Sequence, residues 1–281
     1  MILVAGSEGF IGRRITLALQ DKGFEVWGTS NAKPTDSRLS SIPIVTLSES
    51  GIVRKTPDFE IIINAIGNYS NSSEYINLKK NIDSNSLAPL LVTRFANEAT
   101  RNFLHIGSYF EFAPLSKTIS SSQYTLSKIL GRKSIEQYFT NSSTNFIGCI
   151  LYDNYCEDLS RGKLLDQLIL MSQGKQPISI NNLKNQINLT HLDDVVEGIV
   201  EMALSKMYAK KTNLQIKYPK THSVREIVEM VQEITQLRLI TTEHKQKNLE
   251  NLEEIWDCAP NWDMKFRSES LEDYLLKMIS K

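Results

Sequence analysis

The chain has 281 residues, of which 41% are hydrophobic, with 32 basic and 32 acidic side chains; this length buries a full core, as one large α/β domain or as a domain with an appended lobe. The balanced charge leaves no global field to attract nucleic acid or an anionic membrane, so any phosphate recognition has to be local. No apolar run approaches the roughly 18 residues of a membrane span, a strand starting at Met1 leaves no room for a signal peptide, and Cys149, Cys156 and Cys258 lack the paired spacing of a disulfide or metal site, so a cytoplasmic protein with reduced thiols and no metal is expected.

Met1–Ala5 is an apolar run of strand length that breaks into Gly6-Ser7-Glu8-Gly9-Phe10-Ile11-Gly12, ahead of a helix predicted over Arg13–Lys22 and stopped by Gly23. A strand, a glycine turn and a helix N-terminus make a cradle for a pyrophosphate, because glycine lets the backbone approach closely and the free N–H groups of the helix face the anion. Gly6, Gly9, Phe10, Ile11, Gly12 and Arg13 are therefore candidate dinucleotide-binding residues. Phe24–Thr29 alternates as a second strand. A fold that selects NAD usually ends this strand with Asp or Glu for the ribose 2′-hydroxyl. Here Thr29, Ser30, Asn31 and Lys33 follow instead. With no carboxylate, and with Lys33 and Arg13 as candidate cations, the stretch favours NADP(H) over NAD(H).

Residues 32–41 are expected as loop, Ile42–Leu47 as a short third strand, and Phe59–Ile63 as a buried fourth strand. That strand closes with Asn64-Ala65-Ile66-Gly67, where the small tips of Ala65, Ile66 and Gly67 would let a cofactor lie across the sheet edge. Asn68–Ser73 is too polar for core and is expected as a mobile loop. Asn85 precedes an amphipathic helix carrying Leu87, Leu90, Leu91, Val92 and Phe95, and Asn102–Ile106 makes a fifth strand ending in Gly107-Ser108. After a serine-rich loop over Ser116–Gln123 come a helix from Tyr124 to about Phe139 and a sixth strand over Asn145–Leu151. This alternation predicts a doubly wound parallel α/β sheet with right-handed crossovers. Beyond residue 151 it weakens into a helix over Leu164–Met171, a short strand over Ile178–Ile180, and a helix over Asp193–Leu204. A capping box at Ser223-Val224-Arg225-Glu226 opens another helix, and an amphipathic helix over Leu271–Ile279 is the last.

Tyr124 and Lys128 are four residues apart and share one face of their helix. An unperturbed phenol, with a pKa of about 10, is a poor acid at neutral pH, but an ammonium beside it favours the phenolate. With Ser108 at the end of the neighbouring strand, the three form a proton relay for carbonyl/alcohol interconversion: Tyr124 moves the proton, Lys128 tunes it and holds the nicotinamide ribose, and Ser108 polarises the carbonyl. His105, inside a strand, reads as a structural histidine, and His191 as a helix cap.

In their order along the chain, the glycine turn, Asn64-Ala65-Ile66-Gly67, Asn85, Ile106-Gly107-Ser108, Tyr124-x-x-x-Lys128, His191-Leu192-Asp193-Asp194-Val195-Val196 and Pro260-Asn261-Trp262 resemble the extended short-chain dehydrogenases/reductases, the NAD-dependent epimerase/dehydratase family that works on nucleotide-activated sugars. The resemblance implies a Rossmann domain over 1–151 and a smaller, mainly substrate-binding C-terminal lobe over 152–281, with about 190–216 returning to the sheet. It adds Asn85, Tyr124 and Lys128 to the cofactor contacts. It places Ser108, Tyr109 and Tyr155 at the substrate, with Tyr155 lining the pocket or packing beneath it. It also implies a nucleoside-diphosphate sugar as substrate and a homodimer through the helices after Asn85 and Tyr124.

Departures from the family pattern narrow the subtype. Dehydratases carry an Asp-Glu pair directly after the catalytic Ser or Thr; here Tyr109 and Phe110 stand there, and Glu111, one residue on, is expected to point elsewhere. Ile150 and Ile187 occupy places where relatives have arginine, so either Arg161 or Lys163 meets the diphosphate instead or the pocket is remodelled. What the resemblance then favours is an NADP(H)-dependent reductase of a 4-keto-6-deoxy nucleotide sugar. A nucleotide-sugar 4-epimerase with tightly bound NAD is the alternative among enzymes, and a non-catalytic nucleotide-sensing protein on the same fold is the alternative outside them.

Overall fold

The computed structural model describes residues 1–29, 37–47, 56–70, 74–112, 122–174, 180, 182–206, 211–236 and 257–280. These form two compact units: Met1–Leu151 with Val196–Ile216 and Cys258–Trp262, and Tyr152–Val195 with Lys217–Asp257 and Asp263–Lys281. Cys258–Trp262, which contains the Pro260-Asn261-Trp262 motif and is expected in the C-terminal lobe, instead returns to the first unit.

The first unit begins with β1 (Ile2–Ala5), α1 (Gly12–Asp21), β2 (Val26–Thr29) and β3 (Ile61–Asn64). A helical run follows, made of α2 (Tyr75–Ile82), a π-helical turn over Asp83–Leu87, and α3 (Ala88–Val92). Next come β4 (Asn102–Ser108), α4 (Gln123–Tyr138) and β5 (Asn145–Leu151). The second unit contains β6 (Asp153–Tyr155), α5 (Leu164–Ser172), β7 (Gln186–Ile187) and β8 (Leu189–His191). The chain passes through α6 (Leu192–Leu204) to β9 (Lys211–Ile216) in the first unit, then continues in the second as β10 (His222–Ser223), α7 (Val224–Thr235) and α8 (Leu271–Ile279).

Six strands lie in the order β2-β1-β3-β4-β5-β9, each neighbour pair parallel. This is the doubly wound α/β sheet that the alternation predicts. The strands are continuous runs of Ile, Leu, Val and Phe because helices cover both faces. One face is packed by Leu3, Ala5, Ile62, Phe103 and Phe146 against Val92, Phe95, Ile135 and Phe139. Since every strand runs the same way, Ala5, Asn64, Ser108 and Leu151 end at one edge, where open α/β sheets bind ligands.

Two expectations change. Ile42–Leu47 is not a strand: it touches β2 through a single bridge, Gly28 to Ile44, with the Gly28 N–H donating to the Pro43 carbonyl (2.9 Å) and the Val45 N–H to the Gly28 carbonyl (2.8 Å). Pro43 has no N–H with which to extend the ladder. The helix expected after Asn85 instead starts at Tyr75, and Asn85 lies in the π-helical turn inside it. Tyr75–Ile82 mixes polar and exposed apolar residues, so no core-facing period marks it. The turn is wide for a covalent reason: Pro89 lacks the N–H that would close on the Asn85 carbonyl four residues back.

That carbonyl is where α4 seats. A Cβ on Gly131 would collide with the oxygen of Asn85 and come within 3.0 Å of its carbonyl carbon. Ser86 Oγ donates to the Ser127 carbonyl (2.7 Å), and Asn85 Nδ2 to Ser127 Oγ (3.0 Å). The helix is started by Ser122, whose hydroxyl accepts the Thr125 N–H (3.1 Å).

The second unit is held by the apolar faces of α5, α7 and α8, with Leu168, Ile227, Val231, Tyr274 and Leu275 fully buried. Tyr274 Oη donates to the Cys156 carbonyl (2.7 Å). The capping box is complete: Ser223 Oγ accepts the Glu226 N–H (3.1 Å), and Glu226 accepts the Ser223 N–H (2.6 Å).

Gly131→Ala is expected to lose about 2–3 kcal/mol of stability, as overpacking against backbone does, measured as a lower urea midpoint. An unchanged midpoint would show that α4 does not depend on this close approach.

Candidate active site

The glycine turn is built by three demands on its backbone. Gly6 sits at φ +80°, and a Cβ on it would crowd the Ala65 carbonyl and the Ile66 N–H at 3.1–3.2 Å. A Cβ on Gly12 would run into the Gly6 carbonyl. The Gly6 N–H is tied to Thr29, at 3.0 Å from Oγ1 and 3.1 Å from the carbonyl, which fixes the turn against the end of β2. Arg13 and Arg14 place their guanidinium groups by the Phe10 ring, at 5.8 and 4.7 Å from its centroid. Ile11 immediately precedes α1.

The turn opens on a cavity of about 580 Å³ whose lining includes Gly6, Glu8, Gly9, Thr29, Ala65, Ile66 and Gly67. The turn, a helix N-terminus behind it and the small strand ends fit a dinucleotide. Three charged side chains line the same cavity: Lys79 and Asp83, paired at 2.5 Å, and Glu8, whose carboxylate oxygens are buried with no hydrogen-bond partner among the described residues. Ser30, Asn31 and Lys33 lie outside the described residues.

Asn85, expected at the cofactor, has its carboxamide engaged within the protein. Nδ2 donates to the Asn68 carbonyl (2.8 Å) as well as to Ser127, and Oδ1 accepts the Asn68 N–H (2.8 Å). Asn68 in turn donates to Asn81 Oδ1 (2.9 Å), and Asn81 to the Ser70 carbonyl (2.7 Å). The start of the segment expected as a mobile loop is thus pinned by a ladder of asparagines; residues 71–73 lie outside the described residues. Composition reads Asn and Ser as loop, whereas here they replace apolar packing with amide hydrogen bonds.

Ser108, Tyr124 and Lys128 come from the end of β4 and the first turns of α4. The Tyr124 ring is edge-on to Tyr69 (4.8 Å between centroids) and to Phe110 (6.2 Å). Tyr109 is buried and stacked on Phe110 at 4.2 Å. One turn on from Tyr124, the Lys128 ammonium is buried and donates to the Ile106 carbonyl (2.8 Å). Burial pushes Lys128 below the ordinary lysine range, and the Glu111 carboxylate, 3.8 Å away, acts against that. Behind Lys128 lies His105, which accepts Asn64 Nδ2 at Nδ1 (2.8 Å). Burial, then Lys128 and Arg132, holds its imidazole well below the usual range, so the ring is neutral.

Glu111 does point elsewhere, as expected: its carboxylate turns under the strand and is fully buried. It accepts the Ser108 N–H (2.8 Å) and Arg132 Nε (2.8 Å). The sequence reading dismissed Glu111 and passed over Arg132. The available signal was the spacing of Arg132, four residues beyond Lys128 on the same helical face.

In the second unit, Tyr155, Lys163, Asp153, Asn154 and Asp166 line a small cavity of about 50 Å³. Tyr155 both lines it and packs edge-on against Tyr274 at 4.7 Å. Lys163, half-buried, is pushed below its usual range mainly by burial, and Arg161 donates to Asn154 Oδ1 (2.7 Å). Ile150 is core, and Ile187 sits in β7. His191 accepts the Asp193 N–H at 3.3 Å, as a helix cap does.

Comparison with known proteins identifies the family and the fold. The chain matches the model of the NAD dependent epimerase/dehydratase family over residues 2–215. It is 25% identical to a CDP-abequose synthase of Yersinia pseudotuberculosis over 295 residues, covering 100% of this chain and 99% of that protein. Among solved structures, MoeE5 in complex with UDP-glucose and NAD superposes with a TM-score of 0.77 at 16% identity, over 99% of this chain and 97% of that one. A UDP-glucuronic acid 4-epimerase from Bacillus cereus in complex with NAD gives 0.73 at 16%, over 99% and 98%. The chain belongs to the NAD-dependent epimerase/dehydratase family and is an NAD(P)-dependent enzyme of the extended short-chain dehydrogenase/reductase type.

Proposed function

We propose that this protein reduces the keto group of a 4-keto-6-deoxy nucleotide sugar, in the making of deoxysugars for surface polysaccharides. The observation that carries this reading is the arrangement at the end of β4, where Ser108 and the Tyr124–Lys128 pair stand beside Tyr109 and Phe110. Aromatic rings at those two places leave a proton donor for a carbonyl and no acid–base pair for eliminating water. The relative named for CDP-abequose and the neighbour solved with UDP-glucose support a nucleoside-diphosphate sugar as substrate.

In this reading the turn from Gly6 through Gly9, Phe10 and Ile11 to Gly12 takes the pyrophosphate, with Arg13 beside it. Ala65, Ile66 and Gly67 support the dinucleotide across the strand ends. Asn85 acts on it through the Asn68 segment that it clamps. The nicotinamide, when bound, supplies the hydride. Tyr124 gives its phenolic proton to the carbonyl oxygen, Ser108 donates a hydrogen bond to the same oxygen, and Lys128 directs its ammonium at the ribose hydroxyls and lowers the cost of phenolate. Tyr109, Tyr155, Arg161 and Lys163 are proposed for the sugar nucleotide, the last three on the substrate-binding lobe.

Two finer choices rest on opposed observations. The absence of a carboxylate at Thr29, with Ser30, Asn31 and Lys33 following, favours NADP(H). The Glu8 carboxylate, which has no hydrogen-bond partner among the described residues, favours a ribose with free hydroxyls, hence NAD(H), and with it a 4-epimerase that keeps its cofactor. NADPH and NADH, each offered with a panel of 4-keto-6-deoxy nucleotide sugars, decide both: consumption of reduced cofactor is expected, faster with NADPH, and about 100-fold or more slower in Tyr124→Phe. Cofactor absorbance in the protein as purified, with no consumption, would instead establish the epimerase. A Tyr124→Phe variant with unchanged turnover would revive the non-catalytic sensor.

We also propose a homodimer, and exposed apolar residues support it: Tyr75, Ile82 and Leu90 on the α2–α3 run, and Leu126 and Leu130 on α4. Sedimentation is expected to give a dimer for the native chain and a monomer for Leu126→Glu with Leu130→Glu. A native monomer would contradict the proposal, as would a dimeric double variant.

A further inference from the structure

Lys128 is the group on which the relay depends, and its ammonium is buried with only 6% of its side chain accessible. Such a charge needs a partner of opposite sign, or it is lost. We propose that Glu111 is the positioning residue of this site: its buried carboxylate joins the Ser108 amide to Lys128 and Arg132, fixing the end of β4 against α4 and keeping the Lys128 ammonium charged where the ribose is bound. The inference rests on the reading of Lys128 as a cofactor contact.

Two donors and a second cation converge on Glu111 from two elements: the Ser108 N–H at 2.8 Å and Arg132 Nε at 2.8 Å donate to it, and Lys128 Nζ lies 3.8 Å away as an ion pair. Space for the carboxylate exists because residue 107 is glycine; a Cβ there would meet its oxygens at 3.0 and 3.3 Å. The charges around it are ordered in a chain. Arg132 is held on its other side by Glu136 (2.6 Å), which Lys133 reaches at 3.2 Å, and the Phe112 ring lies 4.3 Å from the guanidinium carbon. On β4 the titratable neighbour is His105, neutral as described. Burial raises Glu111 above the ordinary carboxylate range, while Lys128, Arg132 and the two hydrogen bonds pull it back. Removing its negative charge leaves Lys128 beside Arg132 with less compensation, so the ammonium gives up its proton at lower pH.

The test needs no substrate. Binding of NADPH and of NADH is followed by nucleotide fluorescence across the pH range for the native protein, Lys128→Met, Glu111→Gln and Glu111→Asp. The native protein is expected to lose affinity at alkaline pH, and Lys128→Met to bind weakly with no such fall. Glu111→Gln is expected to move that alkaline limb down by about one pH unit or more, and Glu111→Asp, which keeps the charge, to leave it nearer the native position; loss of packing alone does not separate the two variants in this way. If Lys128→Met binds as the native protein does, the reading of Lys128 itself falls. If Lys128→Met loses affinity while the limb of Glu111→Gln stays in place or moves up, or while the two Glu111 variants shift it equally, the role assigned to Glu111 is overturned.

Discussion

The arrangement turns on one buried ammonium. Lys128 lies beneath the sheet edge, hydrogen-bonded to the Ile106 carbonyl and 3.8 Å from the Glu111 carboxylate. Removing a charge from water costs several kcal/mol unless it is paired. The local structure can be read as the means of keeping this one paired and aimed. Helix α4 approaches through Gly131, β4 makes room for Glu111 through Gly107, and Arg132 shares the carboxylate. The same contacts carry Tyr124 to the end of β4, one turn before the lysine.

A second constraint is the parallel sheet. It brings four strand ends to one edge, and the residues proposed for the site are distributed among them: the glycine turn after β1, the small residues after β3, and Ser108 at the end of β4. None of these residues contacts the others through sequence proximity. The asparagine ladder from Asn85 to Asn68 adds a polar clamp where a more apolar chain would pack side chains. Its wide turn follows from a proline that cannot close the helix. The position of α4 thus depends on Pro89 and Gly131 together, two residues with no polar side chain to mark them.

Much of this was legible in the sequence. The doubly wound sheet, the glycine turn and the Tyr124–Lys128 face follow from apolar runs, glycine spacing and helical period, which are local properties. The Ser223 capping box and the last helix were readable for the same reason. What escaped is non-local. Ile42–Leu47 has the apolar content of a strand, but Pro43 and a single bridge decide its state. Tyr75–Ile82 folds as helix without a buried stripe, since several of its apolar residues face outward. Cys258–Trp262 joins the first unit through Gln215, whose side chain accepts the Cys258 N–H and donates to Asn261 Oδ1 (2.9 Å each), a contact with no periodic trace. Glu111 points away from the end of β4, as its place in the sequence suggests, but its pairing with Arg132 is a property of the packed helix.

The Lys128 ammonium, held by its buried acid, is proposed to meet the cofactor ribose while the glycine turn takes the phosphates. A crystal structure of the protein grown with NADPH or NADH tests it directly. The account predicts the pyrophosphate on the Gly6–Gly12 backbone and the nicotinamide ribose hydroxyls within hydrogen-bond reach of Lys128 Nζ, with Glu111 still on Ser108 and Arg132. A dinucleotide bound away from the glycine turn, or a ribose out of reach of Lys128, would contradict it.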